Sequence, residues 1–224
     1  ERNFGKWIGN KGCVVYNGVD FSKLDSSTNV SLDLRHPIHN TQTPKLCMVG
    51  NFISARQQLL IIQALHQLRI RNQQLLVELY LVGKEVKEKP NSFSICNSYC
   101  ANYAIDYVHF LGGRGDVPAL LQQMDGFVYA TQGETFGIAV VEAMAAGIPV
   151  VVNDHPVMQE VTNDGKWATL FKSDDIAACA NAIEDLLNNL EARKADAKEI
   201  AKQVREEYSI EKHIERLTNV YQSF

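Results

Sequence analysis

The chain has 224 residues, of which 46% are hydrophobic and 21% are charged, and its formal net charge is −4. A chain of this length can bury a core without disulfides or metals, and this composition is that of an ordinary globular protein. Lys and Arg are scattered and form no basic stripe of the kind that binds nucleic acid or anionic membranes, and no apolar run approaches the roughly 18–20 residues of a membrane span.

The five cysteines, at positions 13, 47, 96, 100 and 179, favour a reducing compartment. Their number is odd, no Cys-x-x-Cys motif occurs, and Cys47 and Cys179 lie in apolar segments. No signal peptide is recognised at the start, so we predict reduced thiols and a cytoplasmic location. The first residues resemble the middle of a longer chain, and we therefore expect a fragment of a larger protein.

The chain changes character at Lys45. Residues 21–44 are rich in Ser, Thr, Asn and Asp without sustained periodicity, which predicts a loop or linker. From Lys45 onward, continuous apolar runs alternate with helical patterns, and continuous runs are typical of strands buried on both faces of a parallel sheet. The predicted fold class is therefore α/β, with a doubly wound, Rossmann-like parallel sheet.

The predicted elements alternate along the chain and end in helices. Strands are predicted at 45–50, 75–83, 107–113, 126–131, 149–153 and 168–173, and helices at 59–70, 117–124, 138–146, 175–207 and 210–224. Ligands of such sheets bind beyond the carboxyl ends of the strands. The candidate site residues are therefore those that follow each strand.

The loop after the first strand, GNFISARQQ, carries Gly50 and, just before the next helix, Arg56. Gly50 allows a close backbone approach, and Arg56 together with helix-end amides suits a phosphate. The alternative is a plain strand–helix turn with a solvated arginine. Neither G-x-G-x-x-G nor G-x-x-x-x-G-K-[ST] follows the strands, which argues against a nicotinamide dinucleotide site and against a P-loop.

The loop after the third strand, LGGRGDVPALL, suits a planar group. Its paired glycines leave backbone groups open to a base. Asp116 as a cap and Pro118 in the first turn predict a helix start directly after it.

The stretch after the fourth strand, GETFGIAVVEAMAAGIPVVV, places two carboxylates among small and apolar residues. Its pattern puts a loop at Gln132–Gly137 and a helix at about Ile138–Ala146, with Thr135 as candidate cap and Gly147 at the end. Glu134 then lies in the loop rather than on the helix.

The second carboxylate, Glu142, shares one face of this helix with Ile138 and Ala145. Gly137 leaves the helix-start amides open, and an anion there would gain about 0.3–2 kcal/mol from the helix dipole. The pattern predicts an anionic, hydroxyl-rich ligand whose hydroxyls donate to both carboxylates. The alternative is that Glu134 is a first-turn charge and Glu142 faces solvent.

The same stretch resembles the donor-site signature of retaining glycosyltransferases of the GT-B fold, in glycosyltransferase family 4 (group 1 type). That signature has two glutamates with seven residues between them, FG after the first, and EAMA-x-G-x-PVV at the second. Further similar segments follow the family order: NGVD (17–20) at the domain hinge, VGNF…R (49–56) at the phosphate loop, FLGGRGDVPALLQQMDGFVYAT (110–131) on the base side, and YSIEKHIERLTNVY (208–221) at the terminal helix.

The resemblance implies a donor-binding domain that transfers a hexose from a nucleotide-sugar to a glycan or lipid-linked acceptor with retention, without a metal or cofactor. By position, Glu134 would hold the sugar hydroxyls, Glu142 the ribose hydroxyls, and Arg56 the diphosphate. No proton-transfer catalyst is assigned; Arg56 and Glu134 would stabilise transition-state charge. The implied donor-binding residues are Gly50, Asn51, Arg56, Glu134, Thr135, Phe136, Gly137, Ile138 and Glu142.

The resemblance also implies a domain organisation. Residues 1–44 would be a hinge or linker left from a preceding acceptor-binding domain, 45–207 the nucleotide-sugar-binding domain, and 208–224 a crossover helix. Because the preceding domain is missing, we expect little or no transfer by this chain alone. The resemblance allows peripheral membrane association through that missing domain, and no nucleic-acid partner is expected.

The chain departs from the family pattern in two loops. Asn51 stands where the family usually has Arg, and Arg56 where it usually has Lys. A lost charge-assisted contact of about 1.5–3 kcal/mol would weaken donor binding. The segment NDHPVMQEV (153–161) lacks the glycine pair often found there and leaves Glu160 without a role. His155, HPIH at 36–39 and the pair Cys96/Cys100 show no metal-ligand spacing.

Two other classes remain open. A glycosyltransferase-like module without catalysis, used for binding or assembly, is supported by Asn51. A glycoside hydrolase would use Glu134 and Glu142 as acid and nucleophile, and would need their carboxyls roughly 5 or 6.5–9.5 Å apart around an open sugar site.

Overall fold

A single parallel sheet organises the computed structural model, which describes residues 12–26, 43–87 and 91–223. Within these ranges the strands are β1 (Lys45–Val49), β2 (Glu78–Val82), β3 (Val108–Gly112), β4 (Gly126–Tyr129), β5 (Val150–Asn153) and β6 (Thr169–Phe171). Their order is β3-β2-β1-β4-β5-β6 and every neighbouring pair is parallel. The predicted doubly wound α/β fold is confirmed.

Helices cover both faces of this sheet. They are α1 (Ser22–Asp25), α2 (Gln58–Arg71), α3 (Ser92–Asn102), α4 (Val117–Leu121), α5 (Ile138–Ala145), α6 (Pro156–Val161), α7 (Ile176–Asn188), α8 (Leu190–Glu207) and α9 (Ile210–Gln222). The sheet grows in opposite directions from the β1–β4 pair, so right-handed crossovers place α2 and α5 on opposite faces. There α2 packs against α3 and α7, and α5 packs against α8.

The central strands are buried on both faces, as the continuous apolar runs predict. All residues of β4 and β5 are buried, as are Leu46, Cys47 and Met48 in β1. Burial of both alternating sets of side chains is possible only where helices cover each face. The centre of the sheet is therefore fully packed, and the loops that carry the candidate site leave from its carboxyl edge.

After Lys45, two helices escaped prediction from the pattern. The segment SFSICNSYCAN of α3 is rich in Ser, Asn and Cys, which are weak helix formers. It is held instead by the Asn91 side chain, which accepts a hydrogen bond from the Ser94 amide at 2.9 Å, and by Phe93, whose ring lies 5.2 Å from that of Phe52. The short α6 was the other helix not foreseen.

The predicted linker at 21–44 is partly helical, because α1 occupies its start. Residues 27–42, with the HPIH sequence, and residues 1–11 lie outside the described ranges. The described part of the first segment packs against the chain end: the Val19 amide donates to the Tyr208 carbonyl at 2.8 Å, and the His213 Nδ1 atom lies 2.6 Å from the Tyr16 carbonyl oxygen.

None of the helices in the described ranges is long and apolar enough to traverse a bilayer. The cytoplasmic location stays a prediction. The five cysteines are free thiols, and four of them are buried, with Cys13 exposed.

Candidate functional site

A cleft of about 760 Å³ opens beyond the carboxyl ends of β1, β2, β3 and β4. This is the point at which the strand order reverses, the usual ligand position in doubly wound sheets. All nine predicted site residues line it: Gly50, Asn51, Arg56, Glu134, Thr135, Phe136, Gly137, Ile138 and Glu142. The structure therefore brings together residues that are up to 92 positions apart (142 − 50) in the chain.

Arg56 is held at the β1–β4 junction by three contacts. Its Nη2 atom lies 2.7 Å from Glu134 Oε2, and its Nη1 atom donates to Thr131 Oγ1 at 3.0 Å and to the Gly133 carbonyl at 2.6 Å. Its side chain is only 17% exposed. These contacts use three of the five guanidinium N–H groups, so two remain without a partner among the described residues.

Glu134 is tied to the protein on both of its oxygens. Oε2 accepts from the Tyr129 hydroxyl at 2.8 Å as well as from Arg56, and Oε1 accepts from the Thr135 amide at 2.8 Å and the Phe136 amide at 3.5 Å. Burial alone would raise the pKa of the Glu134 carboxyl, but these hydrogen bonds and the Arg56 charge more than offset it and lower the pKa. Glu134 is therefore ionised, and nearly all of its acceptor capacity is used.

The helix after this loop begins at Gly137 rather than at a side-chain cap. Gly137 has φ +86° and ψ +50° and no capping side chain, so the predicted capping role of Thr135 is wrong. The left-handed conformation favours glycine here, and a Cβ atom would also displace the Met158 Cε atom, which would lie 2.7 Å away. In the described part of the chain, the amides of 137–139 make no hydrogen bond outside the helix. They are free to bind an anion.

Glu142, one turn into α5, differs from Glu134 in having no direct partner among the described residues. It is partly buried and forms no side-chain hydrogen bond or ion pair with any described residue. Burial raises the pKa of its carboxyl, and the charge of Lys23 in α1 opposes that rise. Ile138, which was placed on the same helix face, is 50% exposed at the cleft. Glu142 thus lines the cleft as a carboxylate without a hydrogen-bond partner among the described residues.

The uncharged side chain of Asn51 connects two loops of the cleft. Its Oδ1 atom accepts a hydrogen bond from the Lys84 backbone amide at 2.9 Å, which ties the loop after β1 to the loop after β2. The Lys84 side chain lies across Gly113, where an added Cβ would meet the Lys84 Cγ atom at 2.5 Å. Lys84 therefore brings an ammonium group to the β2–β3 side of the cleft.

Arg114 lines the same side of the cleft. Its Nε and Nη2 atoms donate to the two oxygens of Asp116 at 2.8 and 2.6 Å. Asp116 precedes α4, with Pro118 in the first turn as predicted, but its carboxylate binds Arg114 and makes no cap hydrogen bond. Asp116 therefore occupies the predicted N-cap position, but its side chain does not cap the helix.

Among the cleft residues outside the predicted set, four carry polar side chains: Asn17, Lys84, Arg114 and Tyr129. Lys84 and Arg114 follow β2 and β3 almost directly, so the rule that ligands lie beyond strand ends would have selected them. Tyr129 closes an apolar strand and is indistinguishable from a core aromatic by pattern.

Glu160 and His155 have structural partners in this neighbourhood. The Tyr16 hydroxyl donates to Glu160 at 2.9 Å, and burial together with this carboxylate raises the pKa of Tyr16 to about 12. The Tyr16 ring lies 6.4 Å from that of Phe136. His155 precedes α6 and accepts from the Val157 amide at 3.3 Å. No cluster of three or more metal-ligating side chains occurs in the described ranges; independence from metal stays a prediction.

Comparison with known proteins identifies relatives of one family. The sequence profile described as "Glycosyl transferases group 1" matches residues 33–204. The phosphatidyl-myo-inositol mannosyltransferase of Mycobacterium leprae is 35% identical over 116 residues, which cover 50% of this chain and 29% of that enzyme. The lipopolysaccharide core biosynthesis mannosyltransferase of Rhizobium meliloti is 27% identical over 120 residues, covering 53% of this chain and 34% of that enzyme. The match thus spans about a third of these relatives.

Solved structures share the fold over a longer range. A glycosyltransferase from Rickettsia africae superposes with a TM-score of 0.86 at 18% identity, covering 99% of this chain and 60% of that one. The Anabaena protein HepE, solved in complex with UDP and glucose, superposes with a TM-score of 0.81 at 21% identity, covering 95% and 57%. These likenesses confirm the predicted fold class, one Rossmann-like half of a GT-B fold.

Proposed function

The chain belongs to the group 1 glycosyl transferases, and from that premise we propose that it binds a nucleotide-sugar donor for transfer of a hexose, with retention, to a glycan or lipid-linked acceptor. One observation carries the proposal. A single cleft at the switch point holds free helix-start amides, an arginine with two unused N–H groups and a carboxylate with no partner among the described residues. These are the groups that a diphosphate and a ribose require.

The donor would lie across the cleft from β3 to α5. The diphosphate would meet the amides of 137–139 and the unused N–H groups of Arg56, the ribose hydroxyls would donate to Glu142, and the sugar would lie over the loop at Glu134. The base would lie near Gly113 and Lys84, whose stem covers that glycine. When the bond between the anomeric carbon and the diphosphate breaks, negative charge would develop on the leaving group, and Arg56 and the amides would stabilise it.

The predicted domain division is part of the proposal. Residues 1–44 would connect to a preceding acceptor-binding domain, 45–207 would bind the donor, and 208–224 would form a crossover helix. The contact of Val19 with Tyr208 supports pairing of the first and last segments. Transfer would require the acceptor-binding domain, so the chain alone would bind donor without transferring sugar, and no metal would be needed.

Calorimetry of the 224-residue chain with UDP-, GDP- and ADP-sugars tests this function. We expect heat of binding for at least one of the three, unchanged by a chelator such as EDTA. Loss of binding in EDTA would contradict metal independence. Binding of none at millimolar concentration would contradict donor binding altogether.

A second candidate function, a binding or assembly module without catalysis, is favoured by Asn51. Its side chain is used to join two loops and supplies no charge to a diphosphate. A protein that includes the preceding domain separates the two candidates, because only the first predicts sugar transfer. A glycoside hydrolase is disfavoured, since Glu134 accepts from four donors and has little capacity left for nucleophilic attack.

Replacing Glu142 with Gln is expected to have opposite effects on binding and stability. Loss of a charged acceptor for the ribose should weaken donor binding roughly 10–150-fold. Because burial raises the pKa of Glu142 above its value in the unfolded chain, its ionised form destabilises the fold at neutral pH. The variant should therefore melt higher than the parent at about pH 7.5, and the difference should shrink as the pH falls toward the unfolded pKa.

The matched control is Glu206→Gln, which makes the same chemical change at an exposed position of α8. Calorimetry and thermal melts of both variants check the prediction. Equal donor affinity in the two variants would remove Glu142 from the proposed site.

A further inference from the structure

We propose that Tyr129 is a positioning residue of this site, whose hydroxyl fixes Glu134 so that Glu134 in turn holds Arg56 toward the diphosphate. The inference rests on the proposed donor binding and assigns Glu134 a different task, orientation of Arg56 and of its own loop. Tyr129 ends β4, is 2% exposed, and nevertheless lines the cleft.

Tyr129 and Arg56 bind the same oxygen atom of Glu134. Glu134 Oε2 accepts from the Tyr129 hydroxyl at 2.8 Å and from Arg56 Nη2 at 2.7 Å. The Arg56 guanidinium also lies over the Tyr129 ring, with its central carbon 5.5 Å from the ring centroid. Tyr129 therefore touches both members of the ion pair, the arginine through its ring and the carboxylate through its hydroxyl.

This arrangement fixes the direction of the unused N–H groups of Arg56. The Nε atom of Arg56 lies 3.6 Å from the place where a Cβ of Gly50 would be, so this part of the side chain lies over the glycine at the cleft floor. A guanidinium with one fixed orientation loses less rotamer freedom on binding a diphosphate than a mobile one. The gain in affinity would come from preorganisation.

Glu134 itself is poorly suited to hold sugar hydroxyls. A carboxylate has about four acceptor positions, and four protein donors already occupy those of Glu134. Two of these donors are the amides of Thr135 and Phe136, in the loop that leads to the free amides of α5. Through them Glu134 also sets the course of the backbone that meets the anion.

The simpler explanation is that Tyr129 is only a core aromatic. Its ring does stack on Phe127, with centroids 6.1 Å apart, and a phenylalanine would fill the same space. A buried hydroxyl in a strand is unfavourable unless it is hydrogen-bonded. The phenol is therefore the part of the side chain that core packing does not explain.

The hydroxyl also affects how Glu134 titrates. The charged and titratable groups that face its carboxylate are Arg56, from the loop after β1, and Tyr129, from β4; the Thr135 and Phe136 amides complete its surroundings. Burial raises the pKa of Glu134, while Tyr129, the Thr135 amide and Arg56 lower it further than burial raises it. Without the hydroxyl the pKa should rise, and Glu134 should protonate at a higher pH.

The test compares Tyr129→Phe with Tyr80→Phe. Tyr80 is an equally buried strand tyrosine, 1% exposed, whose hydroxyl donates to Glu78 outside the cleft. Affinity for UDP, GDP and ADP is measured by calorimetry between about pH 3.5 and 8, an interval that begins below the ordinary Glu pKa because that of Glu134 is lowered. We expect a roughly 5–20-fold weaker affinity in Tyr129→Phe than in the parent. The loss of affinity on acidification should begin at a higher pH in Tyr129→Phe. Tyr80→Phe should bind like the parent at every pH.

A double variant separates positioning from general loss of structure. In a Glu134→Gln background the hydroxyl no longer has a carboxylate to fix, so adding Tyr129→Phe should change affinity much less than in the parent. Equal effects in both backgrounds, or parental affinity and pH profile in Tyr129→Phe, would overturn the positioning role alone. If the parent binds none of the three nucleotides, the proposed function fails and the role of Tyr129 fails with it.

Discussion

Replacing Arg56 with Ala is expected to weaken nucleoside diphosphate binding by about two orders of magnitude and to destabilise the fold in the same variant. The binding loss follows from removing a charge-assisted contact of about 1.5–3 kcal/mol together with the orientation of the loop. The stability loss follows because Glu134, whose side chain is 9% exposed, would keep its charge without its cation. Breaking a buried ion pair in this way costs roughly 3–5 kcal/mol.

The pH dependence of this stability loss has a defined sign. The pKa of Glu134 is lowered in the folded chain, so its ionised contacts contribute stability above the unfolded value of 4.5 and lose it as the pH falls through the folded value. The deficit of Arg56→Ala should therefore be full at about pH 7 and shrink in acid, where Glu134 is protonated in parent and variant alike. Urea denaturation at a series of pH values measures it.

Two further substitutions serve as comparisons for Arg56→Ala. Arg56→Lys keeps the charge but removes the guanidinium fork, and should lie between parent and Arg56→Ala in both affinity and stability. Arg71→Ala breaks an exposed pair with Glu184 at 3.4 Å, with side chains 40% and 34% exposed, and should change stability by at most about 1 kcal/mol. If Arg56→Ala matched Arg71→Ala in both measurements, Arg56 would be a plain turn residue with a solvated side chain.

The strands and the position of the cleft follow from the sequence because both depend on a coarse pattern. Apolar runs separated by helical segments imply a parallel sheet, and a parallel sheet puts all strand ends at one edge. Residues such as Arg56 and Glu134, far apart in the chain, must then approach each other. The family resemblance added which of the edge residues to select.

The partners of each side chain could not be predicted in the same way, because they depend on atoms rather than on pattern. Glu134 and Glu142 are the same residue type in one short stretch, yet Glu134 is satisfied by four donors and Glu142 has no direct partner among the described residues. Asn51 looked like a lost cation and is in fact a link to the Lys84 amide. The cap expected at Thr135 is replaced by a left-handed Gly137.

A close backbone contact at the cleft floor joins Gly50 to Gly83, and it is Gly83 that lacks room for a Cβ atom. A Cβ at Gly50 would meet the Arg56 side chain at 3.6 Å, an ordinary contact. A Cβ at Gly83, after β2, would lie 2.0 Å from the Gly50 carbonyl oxygen and 3.0 Å from the Asn51 Cα atom. The tight point of the cleft floor is therefore where β1 and β2 end side by side.

Gly83→Ala should accordingly be the most damaging small substitution near the cleft. The methyl group would overlap backbone rather than a flexible side chain, so the ends of β1 and β2 must separate. That separation strains the hydrogen bonds from the Gly50 amide to the Val82 carbonyl at 2.8 Å and from the Phe52 amide to the Lys84 carbonyl at 2.9 Å. We expect a loss of about 3 kcal/mol or more in the free energy of unfolding, the upper end of overpacking effects.

Donor binding should fail in Gly83→Ala even where the chain still folds, because the loop that carries Arg56 starts at Gly50 and moves with it. Gly115→Ala is the matched control: it lies in the same cleft, has nothing within 4 Å of an added Cβ and no positive φ, and should change stability by less than about 0.5 kcal/mol. Urea denaturation and calorimetry of both variants decide the matter. Equal unfolding midpoints in Gly83→Ala and Gly115→Ala would mean that the ends of β1 and β2 can separate at little cost in stability. The position of Arg56 would then not depend on the contact between Gly50 and Gly83.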